Sequence, residues 1–361
     1  MSLPLVSVCL PNLNTRQYLD ERVHTILAQT YTNWELVVSD NCSDDGAWEF
    51  FEELAGQDHR IAIAQAPREG MYANWNNCIR RARGEYVYIA TSDDTMAPDC
   101  LEKLVAALEA HPECDVAHCA LRKIDAGGAA CVSDWWSRDS VFARSSGALL
   151  DRPHVRRAPF DGLLHLLGWS VYISVTQLLI RRSLFDRIGL YPGTWGSVGD
   201  FNWNMRAGLV ADVVHVPDSW GGWRTHSDQA TAAAGLLSAA HLGRVEEMIA
   251  DAVVRCGHLL VPAVRERLTS EWLPQTRRLR AFNREIRRSR TTIGRRALIV
   301  RQAIMGVAPA RERLRLRVQG RSFPDWVRSQ LEAVGESAPL VPTSGSPRAG
   351  GSFGISPFSE S

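Results

Sequence analysis

Four times in the first 108 residues a short apolar run stops at a polar turn and is followed by apolar positions at helical spacing. Leu5 to Leu10 ends in Pro11-Asn12-Leu13-Asn14, after which Leu19, Val23, Ile26 and Leu27 recur as on one helix face. Glu35 to Ser39 ends in Asp40 to Asp45 before a helix near 47 to 54. Ile61 to Gln65 precedes a helix carrying Tyr72, Trp75 and Ile79. Tyr86 to Ala90 ends in Thr91-Ser92-Asp93-Asp94, and Leu101, Leu104, Val105 and Leu108 follow at i, i+3, i+4 and i+7. Strand and helix alternating in this way imply an α/β fold, a Rossmann-like, mostly parallel sheet flanked by helices. Such sheets bind ligands beyond the carboxyl ends of their strands, where the polar turns at 11–14, 40–45 and 91–94 all fall.

Past residue 115 the rhythm loosens. The spacing predicts a strand at 115–119, a hairpin about Gly127-Gly128, an irregular stretch at 134–165, a strand over 171–180, a short helix over 182–188 and another opened by Gly199-Asp200. Seven of the twelve Trp lie between 135 and 223. Residues 236–335 read as an added C-terminal α-helical region, and 336–361, rich in Ser, Gly and Pro, as a disordered tail.

Charge divides along the same boundary. Residues 1–250 carry 21 Lys plus Arg against 31 Asp plus Glu, whereas residues 251–330 carry 19 Arg against 6 acids. The formal total of +1 is thus the balance of an acidic domain and a basic appendage. Arg277, Arg278, Arg280, Arg284, Arg287, Arg288 and Arg290 interleave with Leu279, Phe282 and Ile286. This amphipathic pattern suits an anionic membrane surface, packing on the acidic domain, or self-association. Nucleic acid is not expected, since no recognition motif accompanies the arginines.

No Gly-x-Gly-x-x-Gly follows the first strand and no Walker-type loop occurs, which takes most of the weight from the dinucleotide and P-loop readings. No apolar run reaches the roughly 18 residues that span a bilayer, and the N-terminus lacks signal-peptide regions, so a cytoplasmic location is expected. The eight Cys contain no Cys-x-x-Cys pair and read as buried free thiols. What remains is a set of carboxylates converging on one sheet edge: Asp40, Asp44, Asp45, Asp93 and Asp94. A hard divalent cation suits such a set, particularly when a diphosphate supplies further oxygens.

The ordered set of motifs resembles glycosyltransferase family 2. It comprises Pro11-x-x-Asn14, Gln29-Thr30-Tyr31, Val38 to Gly46, Gly84-Glu85-Tyr86 and Ser92-Asp93-Asp94-x-x-x-Pro98-Asp99. The resemblance covers about residues 3–231 and implies a GT-A catalytic domain over 1–235, with a nucleotide-sugar half at 3–120 and an acceptor half at 121–235. It implies that Pro11 and Leu13 lie under the nucleotide base, that Asn14 belongs to the nucleotide-sugar site, that Asp40 hydrogen-bonds the base, and that Arg68 contacts the nucleotide. Ser92, Asp93 and Asp94 match the Asp-x-Asp region, with Asp93 as ligand of Mg2+ or Mn2+; its first aspartate is replaced by Thr91. Asp200 of Gly199-Asp200-Phe201 matches the catalytic base. His226, in Arg224-Thr225-His226, matches a position that meets the metal or diphosphate. Trp195 and Trp203 are expected to stack on the acceptor sugar.

Each position also has a plainer reading. Asp93 and Asp94 suit the approach to a helix N-terminus, Asp40 to Asp45 an Asx-rich turn, Asp200 an N-cap, and His226 a satisfied polar side chain. The function implied is metal-dependent, inverting transfer from a nucleotide diphosphate sugar to the hydroxyl of a saccharide or lipid-linked saccharide acceptor. The resemblance further implies bacterial surface polysaccharide synthesis, with the enzyme cytoplasmic or peripheral on the inner membrane face. Competing readings are a sugar nucleotidyltransferase and a catalytically degenerate sugar-nucleotide binding protein or scaffold.

Overall fold

The computed structural model describes residues 3–131, 136, 140–166, 170–227, 239–274, 277, 323–336 and 339–343. Its centre is a ten-stranded sheet. Strands β1 (Val6–Asn12), β2 (Trp34–Asp40), β3 (Ile61–Gln65) and β4 (Tyr86–Ile89) are mutually parallel in the order β4-β1-β2-β3. Every residue of β1, β2 and β4 is buried, as strands covered on both faces must be. Helices α1 (Arg16–Leu27), α2 (Ala47–Gln57), α3 (Met71–Arg81) and α4 (Cys100–Ala110) alternate with them, as the apolar periodicity predicts.

Beyond β4 the sheet is mixed rather than parallel. A two-residue strand β5 (Thr95–Met96) precedes α4, and β6 (Cys114–Ile124) follows it. The stretch read as irregular contains α5 (Val141–Ser146), β7 (His154–Arg156) and α6 (Phe160–Leu166). The strand expected over 171–180 is shorter: β8 is Leu178–Arg181, antiparallel to β4 and β6. Ahead of it a 3-10 turn at Val175–Gln177 is closed by a capping box between Ser174 and Gln177. Helices α7 (Arg182–Ile188) and α8 (Gly199–Val210) fall where expected.

Strand β9 (Asp212–Arg224) is not foreseen by periodicity, because Pro217 and Gly221-Gly222 interrupt its apolar pattern. It pairs with β5, β6 and β7. A Cβ at Gly221 would lie 2.5 Å from the Thr176 carbonyl oxygen, so the glycine permits a close backbone approach.

Each face of the sheet carries an apolar core. One contains Leu19, Val23, Phe51, Leu101 and Leu104; the other contains Trp75, Phe160, Leu164 and Trp203. The second core extends into the C-terminal helices α9 (Ala239–Cys256), α10 (Pro262–Arg267) and α11 (Phe323–Glu332), through Met248, Ile249, Val264, Val327 and Leu331. The described part of this region is therefore packed against the domain rather than appended to it. The tail expected to be disordered contributes β10 (Leu340–Pro342), which pairs with β7. Of the basic stretch only Arg277 is described, 3.4 Å from Glu246; positions 278–290 and 344–361 lie outside the described residues. None of the described helices is long and apolar enough to cross a membrane.

Candidate functional site

The first two strand-end turns are locked together by reciprocal polar contacts. Asp40, fully buried at the end of β2, accepts from Asn12 Nδ2 (2.7 Å), Ser43 Oγ (2.6 Å) and the Ser43 N–H (2.8 Å). The amide of Asn14 donates to Asp44 Oδ1 (2.8 Å) and its Oδ1 accepts the Asp44 N–H (3.0 Å). Asn14 and Cys42 both adopt positive φ, which turns the two loops toward each other. Arg68 closes the rim, donating to the carbonyls of Asn41 (3.1 Å) and Cys42 (2.7 Å) and pairing with Asp44 at 3.3 Å.

This geometry sorts the expected nucleotide contacts. Leu13, 44 % exposed, and the half-exposed Arg68 present surface at the rim, as does Asn14. Pro11 is buried in β1. Asp40 offers no surface to a base, and the direct contact expected of it gives way to a positioning role as the hub of the turn.

The Thr91–Asp94 turn is organised from the far end of the chain. Asp94 is buried, and its oxygens are taken up by Thr91 Oγ1 (2.5 Å), the Arg224 N–H (2.8 Å) and Ser174 Oγ (3.4 Å). Burial first, and then the neighbouring Asp93 charge, push its carboxyl up to about 7. Asp94 thus shapes the turn and does not face a donor, which corrects its expected contact with the nucleotide sugar. Ser92 keeps only 8 % of its surface and is likewise turned inward. Thr91, in place of the first motif aspartate, acts as a hydroxyl brace for Asp94.

Arg224 lies almost wholly buried across the turn. It donates to the Asp93 carbonyl (2.5 Å), to the carbonyls of Asp125 and Ala126, and to Glu21 (2.5 Å). Two residues on, His226 Nε2 comes within 3.1 Å of Asp93 Oδ2, and its ring packs against Tyr18. Asp93 retains 24 % side-chain exposure, so this oxygen–nitrogen pair stands at the sheet edge.

A divalent cation fits the pair in ligand chemistry. A carboxylate oxygen and an imidazole nitrogen lie side by side, and an anionic diphosphate has oxygens for the other positions. Among the described residues no group of three or more His, Cys, Asp or Glu forms a closed protein cage. The fit is therefore to a cation shared with the donor. The other ring nitrogen of His226, Nδ1, is buried without a partner, so the ring is held by packing rather than by a second hydrogen bond.

Asp200 opens α8. Its Oδ1 accepts from Tyr72 Oη (2.8 Å) and from the Phe201 N–H (2.9 Å). Burial raises its pKa, and these two hydrogen bonds partly oppose the rise. A carboxylate with an elevated pKa at a helix start is suited to receive a proton. Gly199 is required beside it: a Cβ there would lie 2.3 Å from the Pro192 oxygen and 2.8 Å from the Tyr72 ring.

The aromatic expectation divides. Trp203 is fully buried, donates its indole N–H to Gly189 O (3.0 Å) and has no face for a sugar, which corrects its acceptor role. Trp195 is partly buried in the 3-10 turn just before Asp200 and remains the acceptor-side candidate. Tyr72 was read from the sequence only as a core position; no local pattern signals a hydroxyl that reaches a residue 128 positions away. Ser174 was hidden in a supposed strand, although its spacing to Gln177 is a capping-box signal.

Residues 7–189 match the sequence profile described as Glycosyl transferase family 2. Over 101 residues the chain is 37% identical to TuaG of Bacillus subtilis (strain 168), described provisionally as a teichuronic acid biosynthesis glycosyltransferase, covering 28% of this chain and 40% of TuaG. It is 33% identical over 145 residues to the uncharacterized protein y4gI of Sinorhizobium fredii (strain NBRC 101917 / NGR234), covering 38% of this chain and 16% of that one. The chain thus spans less than half the length of these relatives. The crystal structure of S. aureus TarS 1-349 in complex with UDP-GlcNAc shares its fold, with a TM-score of 0.56 at 16% identity over 74% of this chain and 71% of that one.

Proposed function

The chain belongs to glycosyltransferase family 2, and from that premise we propose that it moves a sugar from a nucleotide diphosphate sugar to a hydroxyl acceptor with inversion, aided by Mg2+ or Mn2+. The observation that carries this reading is the division of labour at the sheet edge. Asp93 and His226 form a partly buried oxygen–nitrogen pair at the sheet edge, while Asp200 is a separate carboxylate whose pKa is raised by burial.

Asp93 and His226 would hold the cation, which supplies Lewis-acid neutralisation of the departing diphosphate. Leu13, Asn14 and Arg68 would line the nucleotide rim, where Arg68 is held by the Asn41 carbonyl and Asp44. Asp200 takes the proton of the acceptor hydroxyl as that O–H bond breaks. The acceptor oxygen forms the new bond to the anomeric carbon, and the old carbon–oxygen bond leaves with its electron pair on the diphosphate. A single base on the acceptor side suffices for this in-line path, and inversion follows from attack opposite the leaving group.

The acceptor we assign is a saccharide or lipid-linked saccharide of a bacterial surface polysaccharide, supported by the description of TuaG. The arginines from 277 to 290 favour an anionic inner-membrane surface for the enzyme at work. The test is turnover of a donor panel, UDP-, GDP- and dTDP-sugars with Mn2+, followed as nucleotide diphosphate release. Asp200→Asn is expected to lower turnover by roughly 10²–10⁴-fold while donor-induced thermal stabilisation persists. Undiminished turnover in that variant removes Asp200 as the base.

A further inference from the structure

Asp200 has two oxygens in different situations. Oδ1 receives both the Tyr72 hydroxyl and the Phe201 N–H; besides these, only the residue's own N–H reaches the carboxylate among the described residues. We propose that Tyr72 is the positioning residue of the base, occupying Oδ1 so that Oδ2 alone is presented to the acceptor hydroxyl. This rests on the assignment of Asp200 made above.

The hydroxyl is placed by a rigid aromatic column. The Tyr72 ring is stacked on Tyr191 (centroids 6.1 Å apart, 16° between planes), and Tyr191 on Trp203 (4.8 Å, 28°). Trp75 meets both tyrosines edge-on at 5.1 Å, and Trp203 is tied at its base to Gly189 O. Aromatic pairs in these geometries hold ring orientation beyond simple burial. The column crosses from α3 to the first turn of α8, where Gly199 leaves room for the ring. Ser197 O, at 3.2 Å, is a second acceptor for the same Tyr72 proton, and Asp200 Oδ1 at 2.8 Å is the nearer of the two.

Two consequences follow. Two hydrogen bonds on one oxygen restrain rotation of the carboxylate, which favours one orientation of the other oxygen toward the acceptor proton. The Tyr72 hydrogen bond favours the ionised carboxylate and opposes the effect of burial. The groups facing Asp200 are Tyr72 from α3, Tyr191 from the segment before α8 and the Phe201 N–H of its own helix, all of them uncharged.

The experiment is Tyr72→Phe in the full chain, which keeps the ring and its stacking and deletes only the hydroxyl. The first readout needs no substrate: aspartate side-chain carboxyls are labelled with 13C and titrated by NMR, the Asp200 signal being identified by its absence in Asp200→Asn. Loss of the donor is expected to shift the Asp200 titration to higher pH. In donor turnover, kcat is expected to fall about ten-fold with the donor KM unchanged, and the acid limb of kcat to move to higher pH. An Asp200 titration and acid limb unchanged in Tyr72→Phe, while Asp200→Asn is inactive, overturn the role of Tyr72 and leave the base assigned. A shifted titration with full activity in Asp200→Asn overturns the base assignment instead.

Discussion

His226 Nε2 lies 3.1 Å from Asp93 Oδ2, although 133 positions separate them in the chain. The contact exists because β9 runs parallel to β6 and carries Arg224 and its successors back to the Thr91–Asp94 turn. On the proposed reading, a cation held by both residues would make each of them matter through the metal. Chelation by EDTA is expected to abolish donor turnover and Mn2+ to restore it. His226→Ala is expected to raise the Mn2+ concentration for half-maximal turnover by about 10–100-fold. The check is a Mn2+ titration of turnover in the two proteins; coincident curves would remove His226 from the metal site.

Arg224→Lys tests the brace beneath that pair. A single ammonium cannot replace a planar fork that reaches the Asp93, Asp125 and Ala126 carbonyls together with Glu21. The expected loss is about 2 kcal/mol or more of stability, with weaker metal use because the Asp93 backbone is released. Urea unfolding alongside the Mn2+ titration measures both.

Asp94 predicts a pH dependence of stability. Its carboxyl is raised from 3.8 to about 7 in the folded chain, so between these values the folded state binds more protons than the unfolded one. Stability contributed by this group is therefore present at low pH and falls as pH rises from about 4 through about 7. Asp94→Asn cannot ionise and should lack this component. The wild-type-minus-variant difference in unfolding free energy is expected to become less favourable to the wild type at pH 8 than at pH 5; a pH-independent difference would remove the assignment.

Removal of residues 321–361 distinguishes packing from an appendage. It deletes Val327 and Leu331, which are 2% and 1% exposed, the Arg328 bond to Ser145 O (2.8 Å), and the edge strand β10. Burial of each large aliphatic side chain is worth roughly 1.5–3 kcal/mol. A lowered melting temperature of the truncated chain is expected by calorimetry, whereas an unchanged one would mean that these contacts contribute nothing.

The parallel part of the sheet is legible because its signals are local. Four apolar runs with following helical periodicity define β1 to β4 and their helices, and strand geometry then puts the turns at 11–14, 40–45 and 91–94 on one edge. The mixed part is less so. Strand β9 hides behind Pro217 and two glycines, and Ser174 to Gln177 resemble a strand until the capping box is seen.

The sequence by itself determined the alternating architecture and the sheet edge where the polar turns gather, Asp93 among them, since periodicity and turn chemistry act over a few residues; Asp200 is marked in it only by the family resemblance. Tertiary structure alone decided which polar groups face outward and which act as braces. Asp40 and Asp94 are turned inward, Trp203 becomes the foot of an aromatic column, and His226 and Tyr72 are delivered to carboxylates far away in the chain. Burial and long-range hydrogen bonding are properties of the packed chain, and a carboxylate reads the same in sequence whether it meets solvent, a cation or a buried arginine.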